Sequence, residues 1–173
     1  GGAREVNSVG VVIEQYASTA QDGAIEANGC DHDQKIMSTG WQILENDIRF
    51  NSGGGVRTAN AMRLKGNRIY RNGQIGIVGE GTGIVVESND IVANNTLGYS
   101  PGWEAGATKF VLTDLLQVRN NCVRDNLGPG IWTDIRNRNS TIVENWSVRN
   151  AGSGIEHEIR GRALIERNTC AFN

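Results

Sequence analysis

Two short segments in the C-terminal half of the chain carry acidic residues at alternate positions. They read Ile131-Trp132-Thr133-Asp134 and Ile155-Glu156-His157-Glu158. Side chains alternate between the two faces of a β-strand, so if the isoleucines face a core, the acidic residues face outward. Asp134 and Glu158 then lie on adjacent strands about 4.8 Å apart. Because two carboxylates this close disfavour double ionisation, the pKa of one rises, and the pair predicts an acid beside a base.

Two earlier segments align with this pair and extend the outward face. Val56-Arg57-Thr58-Ala59 places its arginine in the column of Trp132, and Ile77-Val78-Gly79-Glu80 places its glutamate in the column of Asp134. The spacing of the carboxyls approaches the roughly 5–5.5 Å of retaining glycoside hydrolases. A solvated acidic face or a cation site is the alternative interpretation. The residues predicted to contact a substrate are Trp132, Glu156, Glu80, Arg57 and Trp103.

Two of these residues are tryptophans that could bind a sugar ring. Trp132 takes an outward strand position, where an exposed flat ring is typical of a sugar-stacking platform. Trp103 lies in a segment inserted at about 95–105 and could close on it. Packing of Trp132 against that inserted segment is the alternative.

Lys109 is the cation predicted to serve the acidic cluster. Counting back from Val111, which matches Ile135, places Lys109 in the inward column, where an unpaired ammonium is too costly to bury. A bulge at Gly106 is therefore predicted to turn Lys109 outward beside Asp134. His157 also falls in the inward column, so a hydrogen-bonded core residue is the alternative to a catalytic role. The predicted catalytic set is Asp134, Glu158, His157 and Lys109.

Paired asparagines reveal the elements that must position these side chains. The pairs are five residues apart: Asn46 and Asn51, Asn67 and Asn72, Asn89 and Asn94, Asn121 and Asn126, Asn145 and Asn150, Asn168 and Asn173. Successive pairs begin 21, 22, 32, 24 and 23 residues apart. Apolar residues stand three before and, in most units, two after each first asparagine, and a glycine-rich bend follows the second. This repeat predicts coils of three short strands each.

Stacked coils would bury a continuous core and align the asparagines at corners, where their amides can satisfy bend groups. The predicted fold is all-β, a right-handed parallel β-helix of about seven coils with asparagine ladders. We expect one domain over residues 1–173, and it could be a fragment of a longer β-helix. Two insertions, at about 28–40 and 95–105, interrupt the repeat. Inserted loops on a repeat scaffold often mark its binding face.

Composition and charge exclude several classes of function. The formal net charge is −2 and no apolar run approaches the roughly 20 residues of a membrane span, so neither nucleic acid nor a membrane is an expected partner. The Asp31-His32-Asp33 run could ligate Ca²⁺ or Zn²⁺, but it lacks closing ligands at a diagnostic spacing. No cofactor is therefore predicted, with Ca²⁺ as the alternative.

The asparagine repeat, with the runs at 106–110, 128–134 and 154–159, resembles the pectate-lyase-like superfamily and its bacterial right-handed β-helix members. The resemblance implies a polysaccharide partner, bound in an outward groove on one sheet, and lyase, epimerase or hydrolase activity on an acidic glycan. Neither the arginine motif of pectate lyases nor the paired aspartates of polygalacturonases is found. The alternatives are a noncatalytic carbohydrate-binding or adhesin-like rod and a structural segment of a longer fibre.

Two expectations concern the ends and the cellular setting. A secreted or cell-surface location is expected, although the chain shows no signal peptide. No capping helix is recognisable at either end, and an uncapped coil presents open strand edges. End-to-end self-association or flanking coils are therefore expected.

Overall fold

The computed structural model describes residues 3–27, 38–159 and 161–173, and its regular structure consists of parallel β-strands. Within these ranges, twenty strands, β1 to β20, form three sheets. Sheet I contains β1 (Asn7–Val9), β4 (Gln42–Leu44), β7 (Arg63–Lys65), β10 (Val85–Glu87), β13 (Gln117–Arg119), β16 (Ser140–Val143) and β19 (Ala163–Glu166). Sheet II contains β2 (Val12–Glu14), β5 (Asp47–Arg49), β8 (Arg68–Tyr70), β11 (Asp90–Val92), β14 (Cys122–Arg124), β17 (Trp146–Val148) and β20 (Thr169–Ala171). Sheet III contains β3 (Gly23–Glu26), β6 (Gly54–Arg57), β9 (Ile75–Thr82), β12 (Gly106–Asp114), β15 (Ile131–Thr133) and β18 (Ile155–His157).

Each strand pairs with the strand three places along the chain, so one coil contributes one strand to each sheet. Two sheets contain seven strands and the third contains six. The all-β fold, the parallel β-helix and its seven coils are confirmed. Among the described residues there is no helix of the length and apolarity that a membrane span requires.

The inward residues of the strands stack into columns that form the core. Sheet I contributes Ile43, Leu64, Val86, Val118 and Ile142, and sheet II contributes Ile48, Ile69, Ile91 and Val123, all fully buried. These are the apolar positions on either side of each first asparagine. Since β-branched side chains suit a pleated, packed surface, the excess of Ile and Val in the sequence is explained by these columns.

The two asparagine ladders are confirmed at the corners that flank sheet II. In the middle of the stack, Asn72 donates from its backbone N to Asn94 Oδ1 at 3.1 Å and from its side-chain Nδ2 to the same oxygen at 3.0 Å. Its Nδ2 also donates to the Ile48 carbonyl of the preceding coil. Each rung thus satisfies bend groups that would otherwise be buried without partners.

Each ladder asparagine follows a residue in the left-handed conformation. These residues, with φ between 51° and 67°, are Glu45, Phe50, Gly66, Arg71, Ser88, Ala93, Asn120, Asp125, Glu144, Arg149, Arg167 and Phe172. Only one is glycine, although other side chains pay a steric penalty there. The hydrogen bonds of the adjacent ladder therefore stabilise a left-handed backbone conformation that is sterically unfavourable for most of these residues.

The segment predicted as the second insertion, 95–105, runs between β11 and β12. Asn95 anchors it, because its buried amide donates to the carbonyls of Tyr99 and Leu127. The chain then runs beside sheet III before it enters β12. Most of the first predicted insertion, with Asp31-His32-Asp33, lies outside the described residues.

Candidate functional site

The candidate site lies on the outer face of sheet III, over its last three strands. Lys109 of β12 pairs with Trp132 of β15, which pairs with Glu156 of β18. Past the strand ends, the backbone N of Glu158 donates to the Thr133 carbonyl, which sets Glu158 next to Asp134 on the adjacent coil. The structure thus brings together most of the predicted acids and their predicted cation.

Lys109 and Asp134 form a buried ion pair. The Lys109 Nζ lies 2.9 Å from Asp134 Oδ2, and the two side chains are only 7% and 9% exposed. The same ammonium lies 3.7 Å from the centroid of the Trp132 ring, a cation–π contact. Lys109 therefore faces outward beside Asp134, as predicted, and its ammonium contacts both Asp134 and Trp132.

The predicted cause of this orientation was wrong. The pairing of β12 with β9 runs without a register shift from Gly106 to Phe110, so a bulge at Gly106 does not set this orientation. The irregularity comes later, since Asp134 N donates to the Phe110 carbonyl while Leu112 N donates to the Ile135 carbonyl. Asp134 is thus an extra residue relative to the β12 coil. An alignment that matches Val111 to Ile135 omits this residue and therefore pairs Lys109 with Thr133, although its partner is Trp132.

Asn137 holds this irregular segment and was not predicted. Its side-chain Nδ2 donates to the carbonyls of Phe110 and Asp134 at 2.9 and 2.6 Å, and its Oδ1 accepts from Thr113 N and Oγ1. The residue is fully buried. Asn137 therefore ties Asp134 to the neighbouring coil, outside both ladders.

Glu158 forms a second, different acidic pair with Glu156. The two carboxyls are hydrogen-bonded, and this bond, with added desolvation and the charges of Glu156 and Asp134, raises the pKa of Glu158 to about 7. The predicted partner, Asp134, contributes less than Glu156. At pH 7 a large share of Glu158 is thus protonated, whereas at the same pH an ordinary glutamate is ionised. Its neighbour Asp134 is ion-paired with Lys109.

These side chains line an open cleft of about 470 Å³. The remaining lining includes Pro101 and Gly102 from the insertion. Apolar side chains of Pro129, Ile135 and Ile159 complete its walls. The cleft is large enough for one or two sugar rings and brings an insertion to the acidic cluster, as expected of a binding face.

The predicted stacking platform is absent. Trp132 lines the cleft but is only 5% exposed, since the Lys109 ammonium covers its ring and its neighbours enclose it. Its Nε1 is buried without a hydrogen-bond partner in the described residues, as is Asp134 Oδ1. Trp103 is 56% exposed and does not line the cleft. Neither tryptophan presents a flat face to the cleft.

Arg57 and Glu80 lie in a separate cluster on the same sheet. Arg57 NH2 lies 3.3 Å from Glu80 Oε1, and Asp22 and Glu26 approach the same guanidinium at 3.6 and 3.7 Å. Val78 separates this cluster from Lys109 along the outward column. The structure does not bring Arg57 or Glu80 into the cleft.

His157 is on the inner side of its strand, so it does not join the cleft. Its Nδ1 lies 2.7 Å from Thr133 Oγ1 of the preceding coil. This matches the alternative of a hydrogen-bonded core residue and places the imidazole opposite Glu156 and Glu158. Across residues 3–27, 38–159 and 161–173, no group of three His, Cys, Asp or Glu side chains is placed to hold a metal ion.

Comparison with known families gives a match that covers most of the chain. The model of the family described as "Right handed beta helix region" matches residues 24–172. Comparisons with curated proteins and with solved structures gave no match.

Proposed function

The chain belongs to the right-handed β-helix family, and we propose that its sheet III cleft binds a glycan and hydrolyses it by acid–base catalysis. The observation that carries the proposal is the contrast between two adjacent carboxyls. Asp134 is ion-paired with a buried lysine, whereas the pKa of Glu158 is raised to about 7. Carboxyls whose environments hold them in opposite protonation states are the usual means of dividing acid and base roles.

Glu158 is the proposed general acid. It is partly exposed at the cleft edge, where it can reach a glycosidic oxygen, and its proton is held against Glu156 until it is transferred. A general acid works best when its pKa lies near the working pH, because it is then both protonated and able to give up its proton. A pKa of about 7 meets that condition at neutral pH.

Asp134 is the proposed base and acts as the nucleophile, because carboxyls on adjacent coils suit a retaining reaction and leave no room for a water between them and the sugar. As the glycosidic bond breaks, Glu158 gives its proton to the leaving oxygen and Asp134 bonds to the sugar carbon. A water then displaces Asp134 from that carbon, and Glu158 takes back the proton that this water loses. Lys109 is the positioning residue, because its ion pair and the Asn137 bond fix the aspartate. Glu156 keeps Glu158 protonated. Elimination is less well supported, since Lys109 is already paired and does not offer a free cation to a uronate.

The proposal is tested with a panel of neutral and acidic polysaccharides, scored both for new reducing ends and for unsaturated products. We expect reducing ends without unsaturation, and a loss of at least about 100-fold on Glu158→Gln, the usual scale of acid–base catalysis. Glu80→Gln is the matched control on the same sheet and should leave turnover unchanged. Equal turnover by wild type and Glu158→Gln would remove the catalytic assignment.

A noncatalytic glycan-binding function is the second candidate. It is favoured by the walls of the cleft, where Ile135 and Ile159 are 45% and 58% exposed beside prolines, a surface suited to the C–H faces of sugars. This function predicts retention of a polysaccharide with no product. Ile159→Asp would then abolish binding, while Glu158→Gln would leave it intact.

A further inference from the structure

We infer that the cleft selects glycans without carboxylate groups and disfavours uronic-acid polymers. The inference rests on the proposed glycan site and concerns its substrate class. It also reverses the expectation, implied by the family resemblance, of an acidic polysaccharide.

The charges that line the cleft give the first argument. Among the described lining residues there are three carboxyls, Asp134, Glu156 and Glu158, and one cation, Lys109. That cation is 2.9 Å from Asp134 and 3.7 Å from the Trp132 ring centroid, and its side chain is only 7% exposed. A uronate would thus meet a net negative cleft whose ammonium already has partners, and like charges at short range repel.

Two buried atoms without partners give the second, independent argument. Trp132 Nε1 can only donate a hydrogen bond and the Asp134 carboxylate oxygen Oδ1 can only accept one, and neither has a partner in the described residues. Both side chains are more than nine-tenths buried and line the cleft. A sugar hydroxyl both donates and accepts, so it suits this pair once a small movement of the cleft floor admits it. A carboxylate cannot donate to Asp134 and would face its charge.

The apolar walls of the cleft also favour an uncharged ligand. Pro101, Pro129, Ile135 and Ile159 offer apolar surface to the C–H faces of a pyranose. A polymer with a carboxylate on every ring would have to desolvate those charges against the same surface, at a cost with no compensating cation.

The test uses three backbones, each as a polyuronate and as the same polymer after reduction of its carboxyls to primary alcohols: galacturonan, glucuronan and mannuronan. Binding to the full chain is measured at low ionic strength, where charge effects are least screened. We expect at least one reduced polymer to bind at least ten-fold more tightly than its polyuronate. Tighter binding of the polyuronate on every backbone that binds would overturn the inference but leave the glycan site standing. Binding of none of the six polymers would overturn both.

A pair of variants assigns the selectivity to the cleft. The double variant Glu156→Gln/Glu158→Gln should narrow the difference between the reduced polymer and its polyuronate by several-fold, since it removes the charge of this carboxyl pair, whereas Glu156→Gln alone would let Glu158 ionise. Glu166→Gln changes the net charge of the protein equally but lies on sheet I, away from the cleft, and should leave the difference unchanged. An equal effect of both variants would show that overall charge, and not the cleft, sets the preference.

Discussion

Sheet III carries two ion clusters on one outward column, and the two differ in burial, in the number of partners and in the distances between the charges. Arg57 is 28% exposed and is shared among Asp22, Glu26 and Glu80 at 3.3–3.7 Å. Lys109, two strands along, is 7% exposed and makes one close pair at 2.9 Å. The first cluster balances charge on a solvated strand, whereas the second fixes one carboxylate in a cleft. Two cations in the same outward column thus have different roles, because burial and the adjacent insertion differ between them.

The largest expected difference between the clusters is in stability. Lys109→Met leaves Asp134 buried without its cation, and breaking a buried pair from one side typically costs about 3–5 kcal/mol. Arg57→Met breaks partly solvated pairs and should cost about 1 kcal/mol or less. Urea unfolding of both variants measures the contrast. Equal losses would show that the Lys109 pair is not a buried one.

The double variant Lys109→Met/Asp134→Leu sharpens that result. Replacing both partners of a buried ion pair by apolar residues is often nearly neutral, so it should recover much of the stability that Lys109→Met loses. Turnover should not recover, since the proposed base is gone. No recovery of stability would assign the loss to packing rather than to the unpaired charge.

A smaller difference in stability is expected between alanine variants of Asn137, beside Asp134, and of Asn60, near the Arg57 cluster. Asn137→Ala removes the buried amide that donates to the Asp134 carbonyl and accepts from the Thr113 backbone N–H, and it should cost about 1–3 kcal/mol. It should also lower turnover, because Asp134 is no longer held. Asn60 is partly exposed, and Asn60→Ala should cost about 1 kcal/mol or less without changing turnover. The prediction fails if Asn137→Ala keeps wild-type turnover.

The pH profile of turnover separates Glu158 from the Arg57 cluster. The acid must be protonated, so kcat/KM should fall as the pH rises through about 7. Lys109, Asp134 and Glu156 are the charged groups that face Glu158. Glu156→Ala removes the main cause of the raised pKa of Glu158, so the fall in kcat/KM should begin at a lower pH. Glu80→Gln should not change the pH at which kcat/KM falls. An equal shift of that pH in both variants would contradict the assignment of Glu158 as the general acid.

The smallest effect is on the pH dependence of stability. The folded state holds a proton on Glu158 between its ordinary pKa of 4.5 and the raised value of about 7, while the unfolded state has lost it. Stability from this group is therefore complete below 4.5 and falls as the pH rises to 7. Glu158→Gln should flatten that part of the curve. An unchanged slope would show that Glu158 titrates alike in both states.

The fold was predictable because its cause repeats along the chain. Asn72 and Asn94 occupy equivalent corners of successive coils, so their spacing reports the coil length directly. Asp134 and Glu158 were placed on neighbouring coils for the same reason. The local geometry of the site was harder to predict from the sequence. The extra residue at Asp134 and the supporting Asn137 occur once, and a single occurrence leaves no periodic signal.

The burial of Trp132 also had no signal in the sequence. Strand alternation predicts that its ring points outward, and it does. Its exposure depends on how the Lys109 side chain and the residues around it pack, which alternation does not determine. The pairing of Glu158 with Glu156 was likewise missed, because Glu158 lies just past the end of β18 and strand alternation does not determine which neighbour its carboxyl contacts.

A ¹³C NMR titration of the side-chain carboxyls in the folded protein tests the proposed acid most directly and needs no substrate. We expect the Glu158 carboxyl to titrate near pH 7 and Glu156→Ala to lower its midpoint toward 4.5. Glu80→Gln should leave the Glu158 midpoint unchanged. A Glu158 midpoint near 4.5 in the wild-type protein would contradict the division of acid and base on which the proposed function depends.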